Sequence, residues 1–197
     1  DFVIIGEGEI TLKELITAFE KGETDFGRIE GLVFKEKAEI IKTSARQIVK
    51  ELDSFPMPAW DLIDMVSYKK IWMENHGSFS LNIATTRGCP FKCNWCAKPI
   101  YGNRYNSRSP QKVSEEIEFL INNFDVHHFW MCDDIFGLKP GWVQGFNQLV
   151  TDSGLKFKYK IQSRVDLLLQ DDPLSALAQS GVETIWVGAE SGSQKIL

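Results

Sequence analysis

Cys89, Cys93 and Cys96 lie in the run Thr86-Arg87-Gly88-Cys89-Pro90-Phe91-Lys92-Cys93-Asn94-Trp95-Cys96. This C-x3-C-x2-C spacing puts three thiols on one short loop. Three thiolates can hold three irons of a four-iron cluster and leave the fourth iron open to a substrate or cofactor, where chemistry can occur. The same residues admit blander readings. Structural zinc takes four Cys or His ligands, usually in paired spacings, and no second pair follows here. A disulfide scaffold needs a higher density than four cysteines in 197 residues, and thiols packed this closely suit a metal better than bridges. Chance clustering of core cysteines conflicts with Arg87, Gly88, Pro90, Lys92 and Asn94, which are loop-forming and polar. Cys132 lies apart at the end of an apolar run and reads as a buried small side chain rather than a fourth ligand.

The elements around this loop repeat a strand and a helix. Leu81 to Thr86 forms the first strand, and Val113, Ile117, Leu120, Ile121 and Phe124 are the apolar stripe of the next helix, with Ser109 at its N-cap and Pro110 at N1. Phe129 to Cys132 is the second strand, followed by a helix carrying Trp142, Phe146, Leu149 and Val150. Phe157 to Ser163 alternates as the third strand. Asp172-Pro173 opens another helix, Gly181 closes it, and Thr184 to Gly188 is the fourth strand. Short connections between alternating strands and helices imply a parallel sheet with right-handed crossovers. In that order the cysteines, Asp133-Asp134, Ser163-Arg164 and Gly188 to Ser193 all follow strand ends. Active sites form at this edge of such sheets, so the four clusters are expected to converge on one pocket.

Ahead of these units, Phe2-Val3-Ile4-Ile5 has the pattern of a short buried strand with nothing before it to pair with. A helix follows, with Thr11 and Glu14 spaced as a capping box, Leu12, Leu15, Ile16 and Phe19 as a core stripe, and Gly22 at its end. Leu32-Val33-Phe34 and Ile40-Ile41 read as a hairpin. Glu7 and Glu9 are assigned to a turn and a helix start rather than to catalysis. Pro56 and Pro58 mark Ser54 to Trp60 as a linker. The expected divisions are 1–52, 53–78 and 79–197. Asp1 is not an initiator methionine and the chain closes at Leu197 where the pattern of a helix begins, so it reads as an internal fragment of a longer protein.

Composition bounds the function. With 43% hydrophobic and 25% charged residues the chain is of the soluble globular type. No run approaches 18 apolar residues, so no membrane span is expected. A formal charge of −5 argues against a nucleic-acid surface, and clustered reduced thiols point to the cytoplasm.

The cysteine motif, with Trp95 as the aromatic in C-x3-C-x-aromatic-C, resembles the signature of the radical S-adenosylmethionine (radical SAM) superfamily. Asp133-Asp134-Ile135-Phe136, Gln162-Ser163-Arg164-Val165-Asp166 and Gly188-Ala189-Glu190-Ser191-Gly192-Ser193 resemble segments of its branch with an N-terminal cobalamin-binding domain. The likeness covers residues 1–197. It implies an α/β fold: a partial (β/α) barrel of the radical SAM type with about four βα units, preceded by the tail of an α/β cobalamin-binding domain and a linker.

By resemblance, Cys89, Cys93 and Cys96 would hold a 4Fe-4S cluster whose open iron binds SAM. Asp133 and Asp134 occupy the place of a Gly-Gly-Glu-like segment that holds the methionine amino group, although those glycines are missing here, and the alternative is that the pair caps the next helix or faces water. Trp95 would pack near the adenine, with a plain core role as the alternative. Ser163 and Arg164 would meet the ribose and carboxylate, with a structural salt bridge from Arg164 to Asp166 or Glu190 as the alternative. Glu190 and Ser191 would help hold SAM, beside a helix starting near Ser193. Cobalamin is a further implied cofactor, but its Asp-x-His-x-x-Gly motif would have to precede residue 1. The near-match at Asp125 to Trp130 lacks the glycine and reads as a polar strand entry.

The implied activity is reductive cleavage of SAM to a 5′-deoxyadenosyl radical, used for methyl transfer or oxidative cyclisation at an unactivated carbon of a small-molecule substrate. An electron donor such as flavodoxin or ferredoxin would supply the reduction. Two rivals stay open: a cobalamin-independent radical SAM enzyme such as a methylthiotransferase, and a non-enzymatic iron-sulfur or zinc module.

Overall fold

The computed structural model describes residues 1–97, 101–170 and 173–195. They form two compact units, one of residues 1–50 with 88–104, the other of 51–87 with 105–197.

In the first unit, β2 (Leu32–Glu36) and β3 (Glu39–Lys42) make the expected hairpin, and β1 (Phe2–Ile4) pairs antiparallel with the other edge of β2, Phe2 opposite Phe34. The first strand therefore has a partner and is half open, with Val3 59% exposed, rather than buried. Helix α1 (Glu9–Glu20) begins after Gly8, not at Thr11, so no capping box forms. Arg46 claims both members of that pair: its Nε donates to the Thr11 hydroxyl at 2.8 Å and its Nη2 pairs with Glu14. The Thr11 hydroxyl itself donates to the Glu30 carbonyl. The packed face of α1 is Thr11, Leu15 and Ala18, while Leu12, Ile16 and Phe19 stay about half exposed. Residues i, i+4 and i+7 share one helix face, and the face chosen is the one Arg46 ties down. Leu15 and Ala18 meet Ile29, Leu32 and Phe34 in a small core. Gly22, in the left-handed region, ends the helix as expected.

The second unit opens with 3-10 turns at Leu52–Ser54 and Trp60–Leu62, and then α2 (Met65–His76), a helix inside the segment read as a linker. Its signals are caps rather than periodicity: the Asp64 carboxylate accepts from Ser67 N and Gly77 sits at φ 68. Only Met65 is buried, so there was no apolar stripe to read.

β4 (Leu81–Ile83), β7 (His128–Met131), β8 (Lys158–Ser163) and β9 (Val182–Val187) form a parallel sheet in the order β4-β7-β8-β9. The first expected strand breaks after Ile83, and Thr86–Arg87 (β5) pairs instead with Asn106–Ser107 (β6). One sheet face, with Ile83, Phe129, Met131, Tyr159 and Ile161, packs against α3 (Pro110–Phe124), α4 (Trp142–Ser153) and α6 (Pro173–Ser180). Each fully buried side chain of this size contributes about 1.5–3 kcal/mol. Ser109 caps α3 by accepting from Lys112 N, and Pro110 stands at its first turn. A short α5 (Val165–Leu168) follows β8. Asp172, the expected start of α6, lies outside the described residues.

A buried ion pair joins these elements. Glu116 of α3, 1% exposed, meets Arg108 Nη1 at 2.5 Å and accepts from Trp60 Nε1 at 2.9 Å. Arg108 also donates to the carbonyls of Ala84 and Lys112. Among the described residues no helix is long and apolar enough to cross a membrane.

The turn into β9 is tight. Gly181 sits at φ +103, and a Cβ there would lie 2.4 Å from the Phe157 carbonyl oxygen. Gly181→Ala should lower stability by at least about 1–3 kcal/mol, seen as an earlier urea midpoint at unchanged slope. An unchanged midpoint would contradict this packing.

Candidate functional site

The cysteine loop belongs to the first unit. From Gly88 to Ala97 the chain has neither helix nor strand, only a turn at Asn94-Trp95, where Cys96 N donates to the Cys93 carbonyl at 3.2 Å. Gly88 is at φ +80, and a Cβ there would lie 2.3 Å from the Arg104 carbonyl oxygen, so only glycine fits. All four cysteines are free thiols; Cys89 is buried, Cys93 and Cys96 are exposed. Among the described residues no three Cys, His or acidic side chains are gathered at metal-binding distance. The donor set itself, three soft thiolates on an irregular loop, fits an iron-sulfur cluster. Trp95 is 70% exposed and takes no part in a core.

The remaining candidates lie in the second unit, at the carboxyl ends of adjacent parallel strands. After β7, Asp133 is 2% exposed and turns inward. Its Oδ1 accepts from Thr85 N and Thr86 N, each at 2.8 Å, and its Oδ2 accepts from the Thr85 hydroxyl. Burial pushes its carboxyl up to about 6, against the three donors, which favour the charged form. Nearby, the Tyr105 hydroxyl is buried without a hydrogen-bond partner; burial and then the Asp133 charge push it up to about 12. Asp134, by contrast, is exposed.

At the end of β8, Ser163 is buried and donates to the Phe136 carbonyl at 3.3 Å, while Phe136 N donates to the Gln162 carbonyl. Arg164 forms a two-point pair with Asp166, Nε to Oδ1 at 2.9 Å and Nη2 to Oδ2 at 3.0 Å, so the salt bridge weighed from sequence is present with Asp166. Beyond β9, Glu190 is exposed and Ser191 half-buried, the Ser191 hydroxyl accepting from Ser193 N. The helix expected near Ser193 is absent among the described residues, which run on to a turn at Gln194-Lys195. Its amide is bound within that loop instead of being presented to an anion.

One further reading changes and another holds. Cys132 is exposed rather than buried, because it follows Met131, which faces the helices, and strand alternation turns it to the opposite face. His127 and His128 serve the strand entry as expected, His127 Nε2 on Asp125 and His128 Nδ1 on the Ser80 hydroxyl. Sequence reasoning missed Thr85 and Thr86 as partners of Asp133. A Thr-Thr pair at a strand end beside an acid two strands later in chain order carries no local period.

The clamp yields a test. Asp133→Ala leaves three donors unpaired and should cost about 3 kcal/mol or more. Asp133→Asn keeps an oxygen for both amides and can donate to the Thr85 hydroxyl, so it should stay near the parent. The folded-state value of about 6 lies above the ordinary carboxylate value of 3.8. The folded protein therefore binds more protons in that window, and the stability linked to Asp133 is present below about pH 4 and lost as pH rises through about 6. Asp133→Asn should flatten this slope in denaturation curves recorded from pH 4 to 7. A slope shared by both proteins would remove Asp133 as its source.

Comparison with known proteins places these features. The model of the radical SAM superfamily matches residues 83–197. Over its whole length the chain is 31% identical to the uncharacterized methyltransferase PH0819 of Pyrococcus horikoshii, spanning 42% of that protein. It is 28% identical, again over 100% of the chain, to the anaerobic magnesium-protoporphyrin IX monomethyl ester cyclase of Synechocystis, spanning 38% of it. Among solved structures, the cobalamin-dependent S-adenosylmethionine radical enzyme OxsB, with aqua-cobalamin and S-adenosylmethionine bound, superposes at a TM-score of 0.78 and 22% identity, over 100% of this chain and 29% of that one. That likeness supports the α/β fold with a partial parallel barrel. A chain with this match over residues 83–197 and this cysteine loop belongs to the radical SAM superfamily.

Proposed function

We propose that this chain is part of an enzyme that cleaves SAM reductively and uses the resulting 5′-deoxyadenosyl radical, or a cobalamin-borne methyl group, at an unactivated carbon of a small molecule. The observation that carries the reading is the C-x3-C-x2-C loop following the first strand of a parallel sheet whose next three strands end in polar residues. The names of the relatives support either methyl transfer or oxidative cyclisation, and the cobalamin in OxsB supports that cofactor.

Cys89, Cys93 and Cys96 would hold the 4Fe-4S cluster. When bound, the cluster offers an open iron for SAM and passes on the electron, from a donor such as flavodoxin or ferredoxin, that breaks the sulfonium. Asp134 is exposed at the end of β7, and a carboxylate there suits the ammonium of SAM. Asp133 acts as a positioning residue, since both its oxygens are engaged by Thr85 and Thr86. Arg164, oriented by Asp166, carries a fork of donors suited to a carboxylate. Ser163 keeps the β8 end in place through Phe136, beside the ribose role assigned to it. The exposed indole of Trp95 gives adenine a face to stack on. Glu190 and Ser191 complete the set.

Anaerobic reconstitution of the full-length protein tests this. The parent should bind about four irons and four sulfides per chain and release 5′-deoxyadenosine or S-adenosylhomocysteine on reduction. Outer-shell changes already cost about 10–100-fold at metal sites, so each Cys→Ala variant should lose at least that much activity together with cluster absorbance. Gly88→Ala should lose cluster content while leaving the thiols in place, because its Cβ collides with the Arg104 carbonyl. Stoichiometric zinc without sulfide, or a Cys→Ala variant with full cluster and product, would sink the proposal.

A further inference from the structure

The face of the parallel sheet turned away from the helices is polar and aromatic. Strand alternation puts His128, Trp130, Lys158, Lys160 and Gln162 there, opposite the buried Phe129, Met131, Tyr159 and Ile161. β9 joins this pattern through a bulge: Val182 pairs with Tyr159, but Thr184 pairs with Lys160 and Trp186 with Gln162. The extra residue, Glu183, shifts the alternation so that Val182 and Ile185 both pack on the core and Trp186 comes to the open face.

Three of these side chains form one cluster. The Trp130 and Trp186 rings lie 5.6 Å apart at 69°. The Lys160 ammonium sits 4.7 Å from the centre of the Trp130 ring and 5.8 Å from that of Trp186. Among the described residues no carboxylate pairs with Lys160. The Trp130 indole nitrogen is buried without a hydrogen-bond partner, an arrangement that leaves a donor's desolvation uncompensated. Trp186 is 49% exposed, a large aromatic surface left open on a soluble-type chain. The open Trp186 indole and, beside it, an ammonium that no carboxylate pairs with among the described residues suit one occupant: a flat ring carrying an anionic group.

We propose that Lys160 and Trp186, backed by Trp130, form a recognition site for a flat, carboxylate-bearing substrate, stacked on the Trp186 indole and ion-paired with Lys160. The inference rests on the reading above that this chain acts on a small molecule. SAM also combines a flat base with a carboxylate, so the test must separate the two.

Calorimetry under anaerobic conditions on the full-length, cluster-loaded protein does so, with naphthoate as the probe and naphthylmethanol as its neutral match. Naphthoate should bind saturably with SAM present or absent, and naphthylmethanol should bind about tenfold more weakly or worse. Lys160→Met should weaken naphthoate by about tenfold and leave naphthylmethanol unaffected, while Lys160→Arg should restore naphthoate binding. Trp186→Leu, at a half-exposed position, should weaken both probes by about threefold to tenfold, and stands in if Lys160→Met fails to fold. Absence of saturable naphthoate binding overturns the proposal. So do equal affinities for the two probes, binding indifferent to both variants, or displacement of naphthoate by SAM. Production of 5′-deoxyadenosine, measured on the same parent preparation, reports separately on the proposed function. Its failure leaves the binding result intact, and its success does not rescue a lost one.

Discussion

One buried carboxylate sets the geometry of the sheet's leading edge. Asp133 ends the β7 segment and takes three hydrogen bonds from Thr85 and Thr86, the residues through which the chain leaves β4. The Thr85 carbonyl is held in turn by Arg108 N, and Arg108 reaches the buried Glu116, which also takes the Trp60 indole. The exit toward the cysteine segment is thus fixed by directional bonds, whose lengths and angles tolerate far less drift than apolar contacts. Burying the carboxylate opposes folding, and the three donors together with the surrounding core offset that cost.

The same sheet separates support from chemistry. Its helix-facing side is filled by Phe129, Met131, Tyr159, Ile161 and their partners on α3 and α4, none of which offers a reactive group apart from the Tyr159 hydroxyl, bonded to Ser180. The opposite side and the carboxyl ends carry the charges, the indoles and Cys132. This division follows from the two-residue period of a strand, and the single extra residue at Glu183 extends it to β9.

The elements with a strong period or a local cap were legible in the sequence: α3 with Ser109 and Pro110, the alternation of β8, the hairpin of β2 and β3, and the order of βα units. Less legible was α1, where the stripe Leu12, Leu15, Ile16 and Phe19 suggested the packed face; Arg46, far off in sequence, selected Thr11, Leu15 and Ala18 instead. Helix α2 was hidden because its caps, Asp64 and Gly77, flank a segment without amphipathic pattern. At the site, the cysteine spacing and the strand-end placement of Asp133, Ser163 and Arg164 could be read directly. That Asp133 points inward could not, since its partners are set by which strands become neighbours.

The alternation that brings Cys132 into the open also sets the acidity of its thiol. Partial burial and the neighbouring Asp133 charge push its thiol up, outweighing the opposite pull of Lys160. Metal ions bind the thiolate, and a thiol kept protonated at neutral pH competes poorly for them. Cys132 is therefore a poorer source of thiolate than its exposure suggests, and a metal ion meeting that strand end finds a thiol that gives up its proton reluctantly.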